Sequence, residues 1–211
     1  MFKAYPDIKT LTPKAGESAL SAGQMDIDPN SSSSKVEALF NILQSTQKSK
    51  PDTKTIIFSQ WTSFLDIVQA KLQTENVEFG RIDGSIRAPA RDAAMHRLQE
   101  DPDCKIMLAS LAVCSVGLNL VAANQVILAD SWWAPAIEDQ AIDRVHRLGQ
   151  QKEVTVWRLV MEGSIEERVL DIQADKRKLM MTAFREVEGK RKKGTSRMGD
   201  IQKLLGPRSN A

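Results

Sequence analysis

Short β-rich segments alternate with helical segments along most of this chain, and this alternation restricts its fold more than any other feature. Segments with helical apolar spacing separate the strand-like ones, which are residues 55–58, 77–82, 105–109, 125–129 and 154–160. Strands that alternate with helices predict an α/β fold, with a parallel sheet and helices on both faces. Ligands of such sheets bind beyond the carboxyl ends of the strands, so the loops there are the first candidates for a site.

Helical patterns also lie before the first strand and after the last one. Ser33 or Ser34 can cap the first helix. The last helix, residues 164 to about 185, begins with Ser164-Ile165-Glu166-Glu167, which has the spacing of a capping box. Residues 1–32 contain three prolines and a serine run with little periodic pattern, so they are predicted to form a largely irregular linker or arm.

An uncharged stretch of 24 residues, 106–129, is long enough to cross a bilayer. Serine, glycine and asparagine interrupt it, and buried parallel strands also read as unbroken apolar runs. We therefore predict a buried strand, a loop and a second strand here, and no membrane contact. Trp61 and Trp157, which flank other strands, are likewise expected in the core.

The charge of the chain is nearly balanced, but it is unevenly distributed. The formal net charge of +2 excludes a histone-like polycation. Residues 176–197 nevertheless hold nine basic and two acidic side chains, so this stretch is a candidate polyanion contact or nuclear-targeting run. A solvated helix end is the alternative.

The sequence contains no complete nucleotide or metal site. Cys104 and Cys114 lack the spacing of paired metal ligands, so no metal site is predicted, and a reducing compartment is expected. The phosphate-binding pattern GxxxxGK[ST] is absent, since its nearest match, residues 189–196, lacks the lysine after the second glycine. Asp130 follows a strand as magnesium-binding aspartates do, but a strand-end turn is the favoured interpretation.

The helix predicted for residues 136–147 carries the most informative side chains. Gln140, Arg144 and Arg147 are spaced i, i+4 and i+7, which places an amide and two guanidinium groups on one helical stripe. Two fixed guanidinium forks suit the charge that develops on a transferring phosphoryl group. A solvated face is equally consistent with the spacing, because Asp143 and Asp139 can pair with the arginines.

The segment DRVHRLGQ at residues 143–150 resembles motif VI of the Swi/Snf-type DNA translocases, a branch of helicase superfamily two. Other motifs of this family follow its order: KTIIFSQ at 54–60 is similar to motif IV, RIDGS at 81–85 to the next motif, and residues 110–119 to motif V. The segment DSWWAP at 130–135 resembles the one that precedes motif VI. The tryptophan pair and VGLN at 116–119 look most like the subgroup that contains helicase-like transcription factor.

This resemblance implies a RecA-like parallel sheet, the second lobe of a two-lobe translocase core. It implies four parts: the arm at 1–32, the helicase C-terminal lobe at 33–162, a brace helix at 163–188, and a basic tail with a possible short helix at 189–211. In the family the first lobe binds the phosphates of ATP and Mg²⁺, and the second supplies arginine fingers. The chain alone is therefore expected to be inactive, while the full-length protein is expected to be a DNA-dependent ATP hydrolase.

The resemblance also implies roles for individual residues. Arg144 and Arg147 correspond to the arginine fingers, and Gln140, Gly117 and Asn119 to residues near the nucleotide. Contacts with the backbone of double-stranded DNA are implied for six residues: Ser59, Gln60, Gly84, Ser85, Ser110 and Trp133. A core role for Trp133 beside Trp132 is the alternative. Expected partners are DNA or chromatin, the first lobe and, in some relatives, ubiquitin-pathway proteins; the implied setting is chromatin remodelling or DNA repair in the nucleus.

Motif V departs from the family pattern. Ala112 stands where the family usually has a basic residue, and Cys114-Ser115 stands where it has two glycines. These changes remove a DNA contact and restrict a loop that moves between lobes. A second hypothesis is therefore a non-catalytic module, from a degenerate or truncated family member, that binds DNA or a protein partner.

Overall fold

The computed structural model describes residues 8–11, 33–115 and 117–186, with the backbone alone described at 8–11, 114–115 and 182–186. Six parallel strands form one sheet in the order β1-β6-β5-β2-β4-β3. The strands are β1 (Ile8–Leu11), β2 (Thr55–Ser59), β3 (Phe79–Ile82), β4 (Ile106–Ser110), β5 (Gln125–Leu128) and β6 (Thr155–Leu159). The helices are α1 (Ser34–Ser49), α2 (Thr62–Thr74), α3 (Ala88–Glu100), α4 (Pro135–Val145) and α5 (Ile165–Glu186), with a 3-10 helix at Leu111–Ser115.

All five predicted strands and all five predicted helices are present, so the predicted α/β architecture is confirmed. The edge strand β1, four residues long, lies within the segment that was predicted to be largely irregular, and the sequence analysis did not predict this strand. β1 pairs in parallel with β6, with Ile8 opposite Val156. The basic tail predicted for 189–211 lies outside the described residues, as do residues 1–7, 12–32 and 187–188.

The central strands are apolar because both of their faces are covered by helices. Alternate residues of β2 belong to different cores: Ile56 and Phe58 pack with α4 on one face, and Ile57 packs with α1 and α2 on the other. This alternation follows from the two-residue period of a strand. The uncharged stretch therefore forms two buried strands with a loop between them, as predicted. Among the described residues, no helix has the length and apolarity needed to cross a membrane.

Two helix starts are fixed by serine caps. Ser33 Oγ accepts a hydrogen bond from the N–H of Val36 at 3.3 Å, which satisfies a donor at the start of α1. Ser164 Oγ accepts from the N–H of Glu166 at 3.1 Å before α5. Glu166 itself reaches back to the N–H of Met161, at 2.8 Å, so it contributes a carboxylate to this helix start beside the predicted Glu167.

The two strand-flanking tryptophans have different environments. Trp157 is half-buried and packs against the α1/α2 side of the core. Trp61, in contrast, is 59% exposed at the start of α2, so its predicted core position is wrong. It precedes the helix as its N-cap residue, where the backbone is extended.

The two-sided core predicts a large difference between two apolar substitutions. Phe58→Ala removes a fully buried side chain at the centre of the sheet, and we expect a loss of about 3–5 kcal/mol in the free energy of unfolding. Ile67→Ala is the control, since Ile67 is 57% exposed on α2; its expected cost is about 0.5 kcal/mol or less. Denaturant unfolding measures both values, and equal losses would contradict the burial of Phe58.

Candidate nucleotide and nucleic-acid site

The predicted site residues fall into two groups at opposite ends of α4. One group lies in loops at the carboxyl edge of the sheet, where β2, β3, β4 and β5 end. The other group lies around the last turn of α4 and the segment that leads back to the start of β5. An eleven-residue helix has a length of about 16 Å, so the loop before α4 and the turn after it lie at well-separated ends of this helix.

At the end of β2, a carboxylate of the chain itself accepts hydrogen bonds from residues that were expected to contact a DNA phosphate. Asp130 Oδ2 accepts a hydrogen bond from the N–H of Gln60 at 3.1 Å and from the hydroxyl of Ser59 at 2.5 Å. Ser59 is fully buried, and this hydrogen bond gives its hydroxyl a structural role; its implied contact with DNA stays a prediction. Gln60 remains partly exposed. Lys35 Nζ lies 4.0 Å from Asp130 Oδ1 and also pairs with Glu166.

These contacts also decide between the two interpretations of Asp130. Its carboxylate is an acceptor that ties the end of β5 to the end of β2, which is the strand-end turn favoured from the sequence. Among the described residues, no group of three or more His, Cys, Asp or Glu side chains could hold a metal ion. The described part of the chain thus does not fit Mg²⁺ on its own, and we assign no magnesium ligand to it.

At the end of β3, Asp83 organises the turn that was predicted to contact phosphate. Asp83 Oδ1 accepts from the N–H of Ser85 at 2.9 Å and from its hydroxyl at 2.5 Å, while Oδ2 accepts from Arg81 Nε at 2.8 Å. The N–H and the hydroxyl of Ser85 are therefore occupied by Asp83, although the residue is exposed, and its implied contact with DNA stays a prediction. Gly84 is exposed at the tip of the turn, and a Cβ there would meet nothing within 4 Å.

Ser110 and Trp133, the other two predicted DNA contacts, differ in exposure. Ser110 is buried at the end of β4, and its hydroxyl accepts from the N–H of Ala112 at 3.3 Å; its implied contact with DNA stays a prediction. Trp133 is half-buried beside Trp132, with ring centroids 5.7 Å apart in an edge-to-face arrangement. Part of the Trp133 surface is therefore available to a partner.

The arginine-bearing segment is not one continuous helical stripe. Gln140 is exposed on α4, and Arg144 is half-buried in its last turn, but the helix ends at Val145. Arg147 lies two residues beyond that end, in a turn closed by a hydrogen bond from the N–H of Gln150 to the carbonyl of Arg147 at 3.0 Å. The predicted helix through residue 147 is therefore too long, because the backbone leaves the helical conformation at the C-cap residue His146, where φ is −87° and ψ is 75°.

Gln150 fixes this turn against the start of β5. Its Nε2 donates to the carbonyls of Ala123 and Val121, at 2.7 and 3.0 Å, and its Oε1 accepts from the N–H of Lys152 at 2.9 Å. The sequence identified Gln150 only as a mark of the family, and the structure gives it a positioning role. The hydrogen bonds of Gln150 therefore hold the turn in which Arg147 lies. Arg147 is exposed, and its neighbour Leu148 is fully exposed.

The predicted nucleotide residues of motif V lie close to the end of α4. The N–H of Leu120 donates to the carbonyl of Arg144 at 3.1 Å, which joins the segment of Gly117 and Asn119 to the last helical turn. Gly117 and Asn119 are both exposed. The structure thus brings together the predicted nucleotide residues and the half-buried arginine. Ala112 is exposed on the 3-10 helix, and Val116 lies outside the described residues.

Glu138 is a buried side chain of the site that joins several elements of the fold, and sequence analysis missed it. Its carboxylate is fully buried and accepts from the N–H of Trp132 at 2.7 Å, from Arg158 Nη2 at 2.5 Å and from Gln173 Nε2 at 2.6 Å. One carboxylate thereby joins the loop after β5, helix α4, strand β6 and helix α5. The sequence pattern gave only a weak indication that Glu138 is buried: it lies one helical turn before Ile142, on the apolar stripe of α4.

A wholly parallel sheet, covered by helices on both faces and with candidate sites in the loops at its carboxyl edge, defines a RecA-like α/β lobe. A family model described as "Helicase conserved C-terminal domain" matches residues 34–149. The chain belongs to this family, and its similar proteins place it among the Snf2-type members.

Two curated relatives show this placement. A helicase-like transcription factor of Arabidopsis thaliana, CHR28, is 48% identical over 147 residues, which is 70% of this chain and 15% of the relative. The DNA repair protein RAD5 of Gibberella zeae is 42% identical over 176 residues, 83% of this chain and 15% of the relative. This chain therefore spans about 15% of the length of these relatives.

A solved structure supports the fold independently. The C-terminal part of the Fun30 ATPase domain has a TM-score of 0.64 and 38% sequence identity, and the match covers 67% of this chain and 45% of that one. The predicted fold and family are both confirmed by these similarities.

The Asp83 turn generates a prediction about acid stability. Burial alone would raise the pKa of Asp83, but hydrogen bonds from Ser85 and Arg81 outweigh it and lower the pKa below its ordinary value of 3.8. The ionised carboxylate therefore stabilises the fold at neutral pH, and this contribution is lost as the pH falls below about 4 and through the folded-state pKa.

We expect Asp83→Asn to lower the free energy of unfolding at pH 7 and to flatten its fall below about pH 4. Ser85→Ala is the graded variant, since it removes one donor to Asp83 and should give an intermediate acid dependence. Urea unfolding between pH 7 and pH 3 measures the effect. Identical acid dependence in the three proteins would contradict the assigned role of Asp83.

Proposed function

We propose that this chain is the second lobe of an ATP-dependent double-stranded DNA translocase of the chromatin-remodelling or DNA-repair type. It supplies Arg144 and Arg147 as arginine fingers to an ATPase site whose phosphate loop and magnesium ligands belong to a first lobe. The observation that carries the proposal is the anchored turn after α4, which presents Arg147 to solvent beside the segment of Gly117 and Asn119.

Arginine suits this role for a geometric reason. A guanidinium is always charged and offers a planar fork of donors, so it stabilises the negative charge spread over the oxygens of a transferring phosphoryl group. The fork must be held still to be useful, since a mobile donor has to be ordered during the reaction. Gln150 at the base of the turn, and the bond from Leu120 to the Arg144 carbonyl, supply this support.

The DNA-facing surface is the carboxyl edge of the sheet. Gln60, Gly84, Ser85 and Trp133 keep exposed surface there, so they are the candidates we favour for contacts with a DNA backbone. Arg91, which donates to the carbonyl of Ile86 at 3.1 Å, supports the turn of Gly84 from α3. Backbone contacts of this kind give binding that tolerates sequence changes and weakens with salt.

A second candidate function is a non-catalytic module that binds DNA or a protein partner. The specific observation in its favour is that Asp130 and Asp83 already occupy donors of Gln60, Ser59 and Ser85. Together with Ala112 in place of a basic residue, this leaves fewer groups for DNA at the sheet edge. We rank the non-catalytic module second, because the turn that contains Arg147 is still held by the hydrogen bonds of Gln150.

The setting of the proposed function follows from the named relatives. A DNA repair protein and a helicase-like transcription factor are among them, so DNA or chromatin, a first RecA-like lobe and a nuclear location are the partners and place we propose. A further relative, from Schizosaccharomyces pombe, is named an ATP-dependent helicase and is 38% identical over 186 residues. ATP with Mg²⁺ is thus the proposed substrate, and a link to ubiquitin-pathway proteins is part of the same proposal.

The proposal predicts the behaviour of arginine variants in a two-lobe protein made by joining this chain to the first lobe of a Swi/Snf-type relative. Arg144→Lys or Arg147→Lys keeps the charge but removes the fork, and we expect DNA-stimulated ATP turnover to fall by about 10³-fold. Arg97→Lys is the control, since Arg97 pairs with Glu78 on an exposed face of α3. Turnover by either finger variant equal to that of the control would exclude the finger role.

The same joined protein separates the two candidate functions. The 211-residue chain alone is expected to show no ATP turnover with or without duplex DNA, whereas the joined protein turns over ATP and is stimulated by the duplex. Phosphate release measures both. An inactive joined protein whose lobes are folded would favour the non-catalytic module, and turnover by the chain alone would contradict the proposed division of the site.

A further inference from the structure

The loop between β5 and α4, residues 130–134, is held through its backbone by side chains of other elements. We call it the tryptophan loop. The N–H of Trp132 donates to Glu138 Oε1 at 2.7 Å, and the carbonyl of Trp132 accepts from Gln173 Nε2. The carbonyl of Trp133 accepts from Lys176 Nζ at 3.1 Å. Two of these three partners lie on α5, so the long helix after the sheet holds this loop directly.

Glu138 is suited to this task because it is a carboxylate. Its Oε1 accepts from both Trp132 and Gln173, and its Oε2 accepts from Arg158. An amide has only one oxygen acceptor, so it could not serve all three donors. The pair with Arg158 supplies the counter-charge that a fully buried carboxylate requires.

Gln173 has a polar side chain where packing alone would favour an apolar one. It is buried on α5, and its Nε2 donates to the Trp132 carbonyl and to Glu138. Its Oε1 is buried and has no hydrogen-bond partner within the described residues. A buried acceptor without a partner costs stability, so leucine would suit a purely structural position better. The two hydrogen bonds that Nε2 donates therefore explain why a glutamine occupies this buried position.

We propose that Gln173 and Glu138 are positioning residues through which α5 sets the tryptophan loop for contact with DNA. α5 contacts the start of α4 as well, where Arg177 pairs with Asp139 at 3.2 Å. A displacement of α5 breaks the two backbone contacts of the loop and leaves Glu138 with fewer donors. The position of α5 thereby controls how Trp133 is presented at the sheet edge. This inference rests on the proposed function for its DNA partner.

Hydrogen exchange of the 211-residue chain tests the positioning role without DNA. Gln173→Leu removes both donations and keeps the volume, and we expect peptides that contain the tryptophan loop to lose protection by about tenfold or more, with β2 and β4 unchanged. Asp171→Asn, an exposed change on the same helix, is the matched control. Gln173→Met is the second variant, for the case that leucine prevents folding.

Unchanged protection of the loop overturns the proposal. Equal loss of protection in the loop and in the central strands overturns it as well, because that pattern belongs to a residue that only stabilises the core. Failure of both Gln173 variants to fold overturns the proposal too, because it shows that Gln173 stabilises the whole fold.

A double-mutant cycle tests whether α5 acts on DNA through the loop. Binding of a labelled DNA duplex at low salt is measured for Gln173→Leu, Trp133→Ala and the double variant. We expect Gln173→Leu to weaken binding about three- to tenfold, and to have no further effect once Trp133 is absent. Additive losses would overturn the proposal, since Gln173 would then act independently of the tryptophan.

The failure of the proposed function gives a different result. If Trp133→Ala leaves duplex affinity unchanged, Trp133 is not a DNA contact, and this part of the proposed function fails. The hydrogen-exchange result then decides alone whether Gln173 positions the loop.

Discussion

The arrangement of this lobe depends on one buried carboxylate. Glu138 is fully buried and joins four elements that are distant in sequence: the loop after β5, α4 itself, β6 through Arg158, and α5 through Gln173. A buried ion pair adds little stability by itself, because desolvation offsets its attraction, but loss of one partner is strongly destabilising since a charge is left without compensation. The pair therefore acts mainly as a geometric constraint, which fixes where α4 begins and where α5 lies.

Two further carboxylates impose similar constraints at the carboxyl edge of the sheet. Asp130 ties the end of β5 to the end of β2, and Asp83 closes the turn after β3. Each takes backbone N–H groups that the family resemblance had assigned to phosphate. The edge is consequently organised from within, and the tips of loops, at Gly84 and Trp133, keep exposed surface there.

The sequence predicted the sheet well because its central strands are buried on both faces, which forces unbroken apolar runs such as residues 55–58. It could not predict β1, since four residues at an edge have too short a pattern, and the pairing with β6 arises from tertiary contact. It placed Trp61 in the core because an aromatic residue beside a strand is usually buried. The end of α4 was missed because the non-helical backbone of His146 is not visible in apolar spacing.

Sequence reasoning proposes a site residue where the chemistry requires a particular residue type. It does not find a residue whose role depends on its position in the folded structure. A role was assigned to Arg144 and Arg147 through the resemblance to motif VI, since their spacing alone is equally consistent with a solvated face, and this role stays a prediction. Glu138 could not be identified, because a glutamate on an amphipathic helix usually faces solvent, and its three donors come from elements as far as 35 residues away. Since α4 joins the tryptophan loop at its first turn to the arginine-bearing turn after its last, the residue that fixes this helix is a component of both sites. The residues that carry the chemistry are therefore easier to read from a sequence than the residues that hold them in place.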